Sequence, residues 1–450
     1  MGVQSVLAKI TLCRTAALGG RWYSCEECGE TTKLHNSCGD RHCPGCSGAK
    51  RSDFNERASQ LIVTGVDHYQ VIFTVPEIIS AIALANRTEI ADLLFKSAWK
   101  ALKKTITSEQ GYEPAALMVL HMWNQKLDAH WHVHALVPGA GPDVAGDGVH
   151  QARSPQTGQI GQYLVDAIAL RNAYRKAFLR GLKKLYRNRK LSFSGSTEHL
   201  RDEGNWDELL ARLDELQWVS HIEPPPSELS QAKHVVSYLT RYVTGGPISN
   251  HRIVSATRDE VTFLAREGHR TGGSREQVPM TLSTSEFFRR WCLHIQPPQL
   301  TKTRCFGGWS NSRRKAYRLA MQSVGCDGVL DQSQSVADTG LSDTEPDEER
   351  KLRCTSCGSE SVVLSQVLAK PSWAVVLGAE SQCSPWWYRE SLKRREKRLW
   401  DAAMGDGFYD WCTAHLKSMG EGARDAPECD SNWQQPYLPG IGILPETDGM

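Results

Sequence analysis

The sequence predicts an α+β protein in which a small zinc-binding domain precedes an antiparallel sheet with flanking helices. Three observations predict it. Two C-x-x-C knuckles stand within the first 60 residues. Short β-branched and aromatic runs at 68–76, 115–123 and 131–139, each bounded by Pro or Gly, read as strands. Segments with helical spacing of apolar residues lie between and after them.

The bulk composition bounds the class. The chain has 450 residues, of which 40% are hydrophobic and 23% charged. Those are ordinary values for a globular protein with a proper core. A net charge of +2 creates no global field that would select nucleic acid. No run of roughly 18 apolar residues exists, so no membrane helix is expected. The start has a Lys inside its apolar part and lacks a signal-peptide pattern. With no such signal, 14 cysteines point to metal binding in a reducing cytoplasm rather than to a disulfide framework.

The division expected is a zinc-binding domain at 1–60, a strand-and-helix domain at 61–320, an acidic flexible linker at 321–350 and a region of unassigned role at 351–450. Within the second part, 77–106 has helical periodicity through Leu84, Ile90, Leu94 and Trp99, and 142–162 reads as a loop. A helix over 163–189 presents an apolar stripe of Leu170, Tyr174, Phe178, Leu182 and Leu185. Residues 171–190 also hold nine Lys or Arg and no acid. That basic face, with Arg175, Lys183, Lys184 and Arg187, is either solvated surface or a nucleic-acid contact. A helix over 228–244 should stop at Gly245, Gly246 and Pro247. A strand at 260–266 and a capped helix at 283–295 follow.

Cys25-x-x-Cys28 and Cys43-x-x-Cys46 are separated by fourteen residues. Paired knuckles of this kind suit four thiolates around one tetrahedral Zn2+, closed and therefore structural. Cys38, His35 and His42 are spare donors. A further knuckle at 354–358 stands alone, and Cys383 makes no convincing partner for it by spacing.

Residues 121–134 contain four histidines. On a strand, His132 and His134 point to one face, with Val133 to the other. If 115–123 returns as a hairpin through residues 124–129, His121 falls opposite them on that same face. Three imidazoles so placed could hold a divalent cation that polarises a phosphate or carries hydroxide. His130 and Gln125 are alternatives for the third ligand. Tyr238 and Tyr242 lie four apart, on one side of the expected helix. They are either a buried aromatic stripe or nucleophiles toward a phosphodiester polarised by that cation. Arg241 and Arg252 add positive charge nearby.

These stretches resemble the rolling-circle transposases of the insertion sequence 91 family, which are HUH endonucleases of the two-tyrosine type. The matching segments are HNSCGDRHCPGC, HYQVIFTVP, VLHMWNQKLDAHWHVHALVPGAG, YLTRYVTGGPISNHRI and EFFRRWCLHIQPPQLTKTRCFG, spread over roughly residues 10–310. The resemblance implies an HUH-type sheet, a catalytic Mg2+ or Mn2+ and a structural Zn2+. It also implies single-stranded DNA at element ends and target as partner. His132 and His134 match the family's metal pair, and Tyr238 and Tyr242 match its tyrosines, which would become linked to a 5′ phosphate. Two departures stand out: Trp131 replaces the usual proline between the first two histidines, and TGGP follows the tyrosines where a basic residue is usual. The same chemistry would also serve a plasmid replication initiator or relaxase. A three-His metal hydrolase would leave the tyrosines as core residues.

Overall fold

The computed structural model describes residues 2–46, 54–63, 65–146, 148–223, 225, 246–266, 276–322, 352–378 and 381–404. They fall into two compact units, one drawn from Met1–Cys46 and Asp347–Met450, the other from Ser47–Pro346. The strands in chain order are β1 (Gly20–Cys25), β2 (Thr31–His35), β3 (His68–Thr74), β4 (Ala115–Trp123), β5 (Ala129–Pro138), β6 (Ala140–Pro142), β7 (Val149–Gln151), β8 (Val219–Glu223), β9 (Ile253–Ala256), β10 (Glu260–Arg266), β11 (Gln277–Ser283), β12 (Thr303–Gly307) and β13 (Val362–Leu368).

The larger unit is built on a five-stranded sheet of order β12-β4-β5-β3-β8, antiparallel throughout. Strand alternation gives the sheet two different faces. Tyr69, Val71, Phe73, Met118, Leu120, Val133 and Ala135 all point to one side and are buried in the main core. Helices Arg87–Gln110, Ala167–Arg187 and Glu203–Glu215 cover that side, contributing Leu94, Phe178 and Leu213 among others. The Tyr174 ring sits 5.0 Å from Phe73 and 5.3 Å from Trp218, which seats the basic helix on this layer. On the opposite face a second core, containing Leu117, Leu136, Trp309 and Tyr317, covers only one end. His121, His132 and His134 project from the other end of that face. A separate three-stranded sheet, β11-β10-β9, packs with helix Thr284–Leu293 through Phe263 and Phe287.

The expected strands at 68–76, 115–123, 131–139 and 260–266 are present within a few residues. The expected helix over 77–106 is two helices, Ile78–Ala85 and Arg87–Gln110. Asn86 leaves helical geometry at φ −129°, ψ 51°, and its side-chain amide bonds Ile82 O at 2.9 Å and Ser192 O at 2.8 Å. The backbone bonds from the Asn86 N–H to Ile82 O at 3.0 Å and from the Ile90 N–H to Asn86 O at 2.9 Å persist. The Ser192 backbone, which also donates to Asn86 Oδ1 at 2.6 Å, holds the side chain at the break. The 142–162 loop holds part of a short hairpin, β6 with β7. The basic helix begins at Ala167, where the Asp166 side chain caps it by accepting the Ala169 N–H at 2.6 Å. The helix expected at 228–244 lies outside the described residues.

In the smaller unit β1 is central, with β2 on one side and β13 on the other. Residues 362–368, which the sequence leaves in a region of their own, thus pair antiparallel along residues 20–25.

Candidate metal centres

Three groups of metal-ligating side chains converge among the described residues: Cys13, Cys38, Cys43 and Cys46; Cys25, Cys28, Cys354 and Cys357; and His121, His132 and His134. In each group the ligand atoms lie within 4.8 Å of one another.

The single four-cysteine site expected from Cys25, Cys28, Cys43 and Cys46 is not formed: the two knuckles belong to different clusters. Hairpin geometry explains the division. Gly20 pairs with His35 at one end of β1–β2, and Ser24 pairs with Thr31 at the other. Cys13 and Cys38 flank the first end, while Cys25 and Cys28 form the turn at the second. Five residues of strand separate the ends by roughly 17 Å, too far for one ion. In the first cluster Cys46 Sγ lies 3.6 Å from both Cys13 Sγ and Cys38 Sγ. Four sulfurs at 2.3 Å from a tetrahedral zinc stand about 3.8 Å apart, so the donor set fits. The Cys38 N–H donates to Cys13 Sγ at 3.3 Å and the Asp40 N–H to Cys38 Sγ at 3.4 Å, an environment that favours thiolate. The spare donor His42 faces the Asp40 carboxylate at 2.9 Å instead. In the second cluster, amide donors from Cys357 and Ser356 bring the Cys354 thiol down to about 7.

The histidine cluster follows from strand register. His121 on β4 is directly opposite His132 on β5, and Val119 is opposite His134. The ring centroids are 5.2 Å apart for His121 and His132, 4.7 Å for His121 and His134, and 5.0 Å for His132 and His134. Trp123 stacks on His121 at 5.5 Å. His132 Nδ1 donates to His130 O at 3.0 Å, which leaves its Nε2 lone pair for an ion. The Gln70 side-chain amide lies 2.9 Å from His134 Nδ1. The atom placed there is Gln70 Nε2, while Gln70 Oε1 is buried with no hydrogen-bond partner. With the amide turned over, Gln70 Oε1 would accept from Nδ1–H, and His134 Nε2 would be the nitrogen offered to a metal. Burial pushes the His134 imidazole down to about 4. Burial, then the neighbouring His134 and His130, pushes His132 well below its ordinary range. Neutral imidazoles are the form a metal binds, so this donor set fits a divalent cation.

The two alternatives for third ligand stand outside the group. His130 packs against His132 at 5.0 Å. Gln125 Oε1 accepts the Arg266 N–H at 3.0 Å.

The remaining site residues are not gathered here. Tyr238, Tyr242 and Arg241 lie outside the described residues. Arg175, Lys183, Lys184 and Arg187 belong to the helix that covers the other face of the sheet. Arg175 pairs with Asp214 at 3.5 Å. Lys183 and Arg187 line an open cleft with Arg180, Arg189 and Arg201. Arg252 bonds Leu264 O at 2.7 Å and Gln125 O at 2.6 Å. Sequence reasoning missed Gln70 and Cys13. Gln70 is the one polar residue amid the apolar centre of β3, which was a signal without an address.

An antiparallel sheet that carries a three-histidine cluster is joined in this chain to a cysteine-rich zinc-binding domain, and the chain's relatives define a DNA-processing enzyme of the transposase class. A family profile described as "Transposase zinc-binding domain" matches residues 2–75, and one described as "Putative transposase" matches residues 115–316. A protein of Sinorhizobium fredii (strain NBRC 101917 / NGR234) named "Putative transposase y4qJ" is 35% identical over 314 residues, 69% of this chain and 75% of that one. The "Transposase for insertion sequence element IS801" of Pseudomonas savastanoi pv. phaseolicola is 24% identical over 310 residues, 68% of this chain and 70% of that one. The chain belongs to the insertion sequence 91 family of transposases. The Cys13, Cys38, Cys43 and Cys46 cluster lies wholly within the matched zinc-binding domain and accounts for a structural Zn2+. No helix among the described residues is long and apolar enough to cross a membrane.

Proposed function

We propose that this transposase cuts and rejoins single-stranded DNA at the ends of its element by rolling-circle chemistry, with Tyr238 and Tyr242 as nucleophiles. The observation that carries the reading is the convergence of His121, His132 and His134, buried or half-buried, at the uncovered end of one sheet face. A divalent cation held by the three, Mg2+ or Mn2+, would draw charge from the scissile phosphate and make the 3′ oxygen a better leaving group. Trp123 and Gln70 keep the imidazoles in place.

A tyrosine phenol gives up its proton and its oxygen bonds phosphorus. The P–O3′ bond breaks, leaving a 3′ hydroxyl and a 5′ phosphotyrosine. Attack by another 3′ hydroxyl reverses the step and joins strands. Two tyrosines let cleavage and transfer alternate at one site. Arg241 would supply a phosphate contact beside the tyrosines, and the basic helix, on the other face of the sheet, would contact DNA only away from the cut.

The test incubates the full chain with a labelled single strand carrying the element's end and Mg2+ or Mn2+. A covalent protein–DNA band resistant to denaturant is expected, absent in the Tyr238→Phe, Tyr242→Phe variant and in the His132→Ala, His134→Ala variant. An undiminished band from either variant would overturn the corresponding assignment.

A further inference from the structure

The lone C-terminal knuckle finds its partner at the other end of the sequence. Cys25 Sγ lies 3.6 Å from Cys357 Sγ, and Cys28 Sγ lies 3.6 Å from Cys354 Sγ. Those spacings are far beyond the about 2.05 Å of a disulfide. They match the about 3.8 Å edge of a zinc–thiolate tetrahedron.

The two knuckles are also built alike. Each reads C-x-x-C-G. In the first, the Gly29 N–H bonds Cys25 O at 3.0 Å and the Cys25 N–H bonds Glu30 O at 2.9 Å. In the second, the Gly358 N–H bonds Cys354 O at 3.0 Å and the Cys354 N–H bonds Ser359 O at 2.8 Å. Gly29 and Gly358 have φ of 72° and 77°, the left-handed conformation that glycine adopts at least cost. Two copies of one turn thus face each other, each offering two sulfurs. The pairing is continued by strand: the Glu26 N–H bonds Ser361 O at 2.9 Å, and Cys25 is opposite Val362 where β1 meets β13.

We infer that Cys25, Cys28, Cys354 and Cys357 hold a second structural zinc, which closes the zinc-binding domain from both ends of the chain. Only half of this tetrad lies inside residues 2–75. Four protein sulfurs leave no open coordination position, so the ion has no part in strand cleavage. Its role is mechanical. The β13 strand carries side chains that are mostly exposed, so apolar burial holds it weakly. The metal supplies the fastening.

Elemental analysis of the purified full chain tests this. The Cys354→Ser, Cys357→Ser variant should contain one zinc fewer per chain than the wild type, and Cys13→Ser, Cys38→Ser should lose a different one. A Cys354→Ser, Cys357→Ser protein with wild-type zinc content would overturn the site. Should that variant fail to fold, the wild type loaded with cobalt decides the matter. Its thiolate-to-cobalt absorption should have the intensity of two four-sulfur centres per chain, and the intensity of one would refute the proposal.

Discussion

Gln70 on β3 meets Nδ1 of His134 on β5 at 2.9 Å, though the two residues are 64 apart in sequence. The contact exists because Gln70, like His134, faces the side of the sheet away from the main core, where Gln70 is opposite Leu136 and Ile72 is opposite His134. An imidazole whose far nitrogen is held keeps the tautomer and orientation that a metal needs. Loss of such a partner typically costs 10–100-fold in affinity. Gln70→Ala should therefore weaken Mn2+ binding at the histidine cluster by about that factor. Gln70→Glu, which restores an acceptor, should recover most of it. Calorimetric titration of the three proteins checks this, and equal affinities would remove Gln70 from the site.

His68 supplies a pH dependence unrelated to any metal. It is buried, stacks on Trp309 at 6.1 Å, and bonds Val66 O at 2.8 Å. Burial pushes its imidazole down to about 4. In the unfolded chain it would titrate near 6.5. Above 6.5 both states are neutral and stability is unaffected. Between 6.5 and about 4 the unfolded chain takes the proton first, so stability is lost as pH falls through that window. The loss approaches about 3 kcal/mol for this group. His68→Gln should lose less stability than wild type between pH 7 and pH 4.5, measured by urea unfolding. Parallel losses in the two proteins would contradict the assignment.

Gly307 ends the edge strand β12 beside the strand that carries His121. Its φ is 57°, and an added Cβ would meet Pro114 O at 2.1 Å and the Trp99 ring at 2.5 Å. Backbone cannot yield as a side-chain tip can, so Gly307→Ala should lower stability by about 1–3 kcal/mol. Thermal unfolding reads the change, and an unaltered midpoint would mean that the close approach is relieved at no cost.

How much of this was legible in the sequence depended on how local each feature was. His121, His132 and His134 could be grouped because one short hairpin brings them together, and period-two alternation sets their faces. Gln70 could not, because nothing local says that β3 lies beside β5. The cysteines show the same limit. Each knuckle was evident, but spacing pairs neighbours in sequence. Here the β1–β2 hairpin keeps Cys25 and Cys28 away from Cys43 and Cys46 and presents them to Cys354 and Cys357. The break at Asn86 was hidden because its partner, Ser192, is 106 residues away.

Arg252 illustrates how a positive charge near a nucleic-acid site can mislead. The sequence suggests a phosphate contact. The structure shows its guanidinium bonded to Leu264 O at 2.7 Å and to Gln125 O at 2.6 Å. It thereby braces the β4–β5 turn against β10, and the Phe263 ring lies under it at 5.8 Å. A residue so engaged stabilises the support of the histidine hairpin rather than neutralising DNA. Hydrogen bonds from a charged donor contribute about 1.5–3 kcal/mol, so Arg252→Ala should lower stability by an amount in that range. A flexible ammonium cannot reproduce the planar fork, so Arg252→Lys should be nearly as destabilised. Neither change should alter the slope of log affinity for single-stranded DNA against log salt. A phosphate contact predicts the reverse pattern. Arg252→Ala would reduce that slope by roughly 0.7, the value for one contact to a single strand, and Arg252→Lys would behave as wild type. Fluorescence anisotropy across a salt series, paired with thermal unfolding of the same variants, separates the two, and a reduced slope with unchanged stability would return Arg252 to the DNA interface.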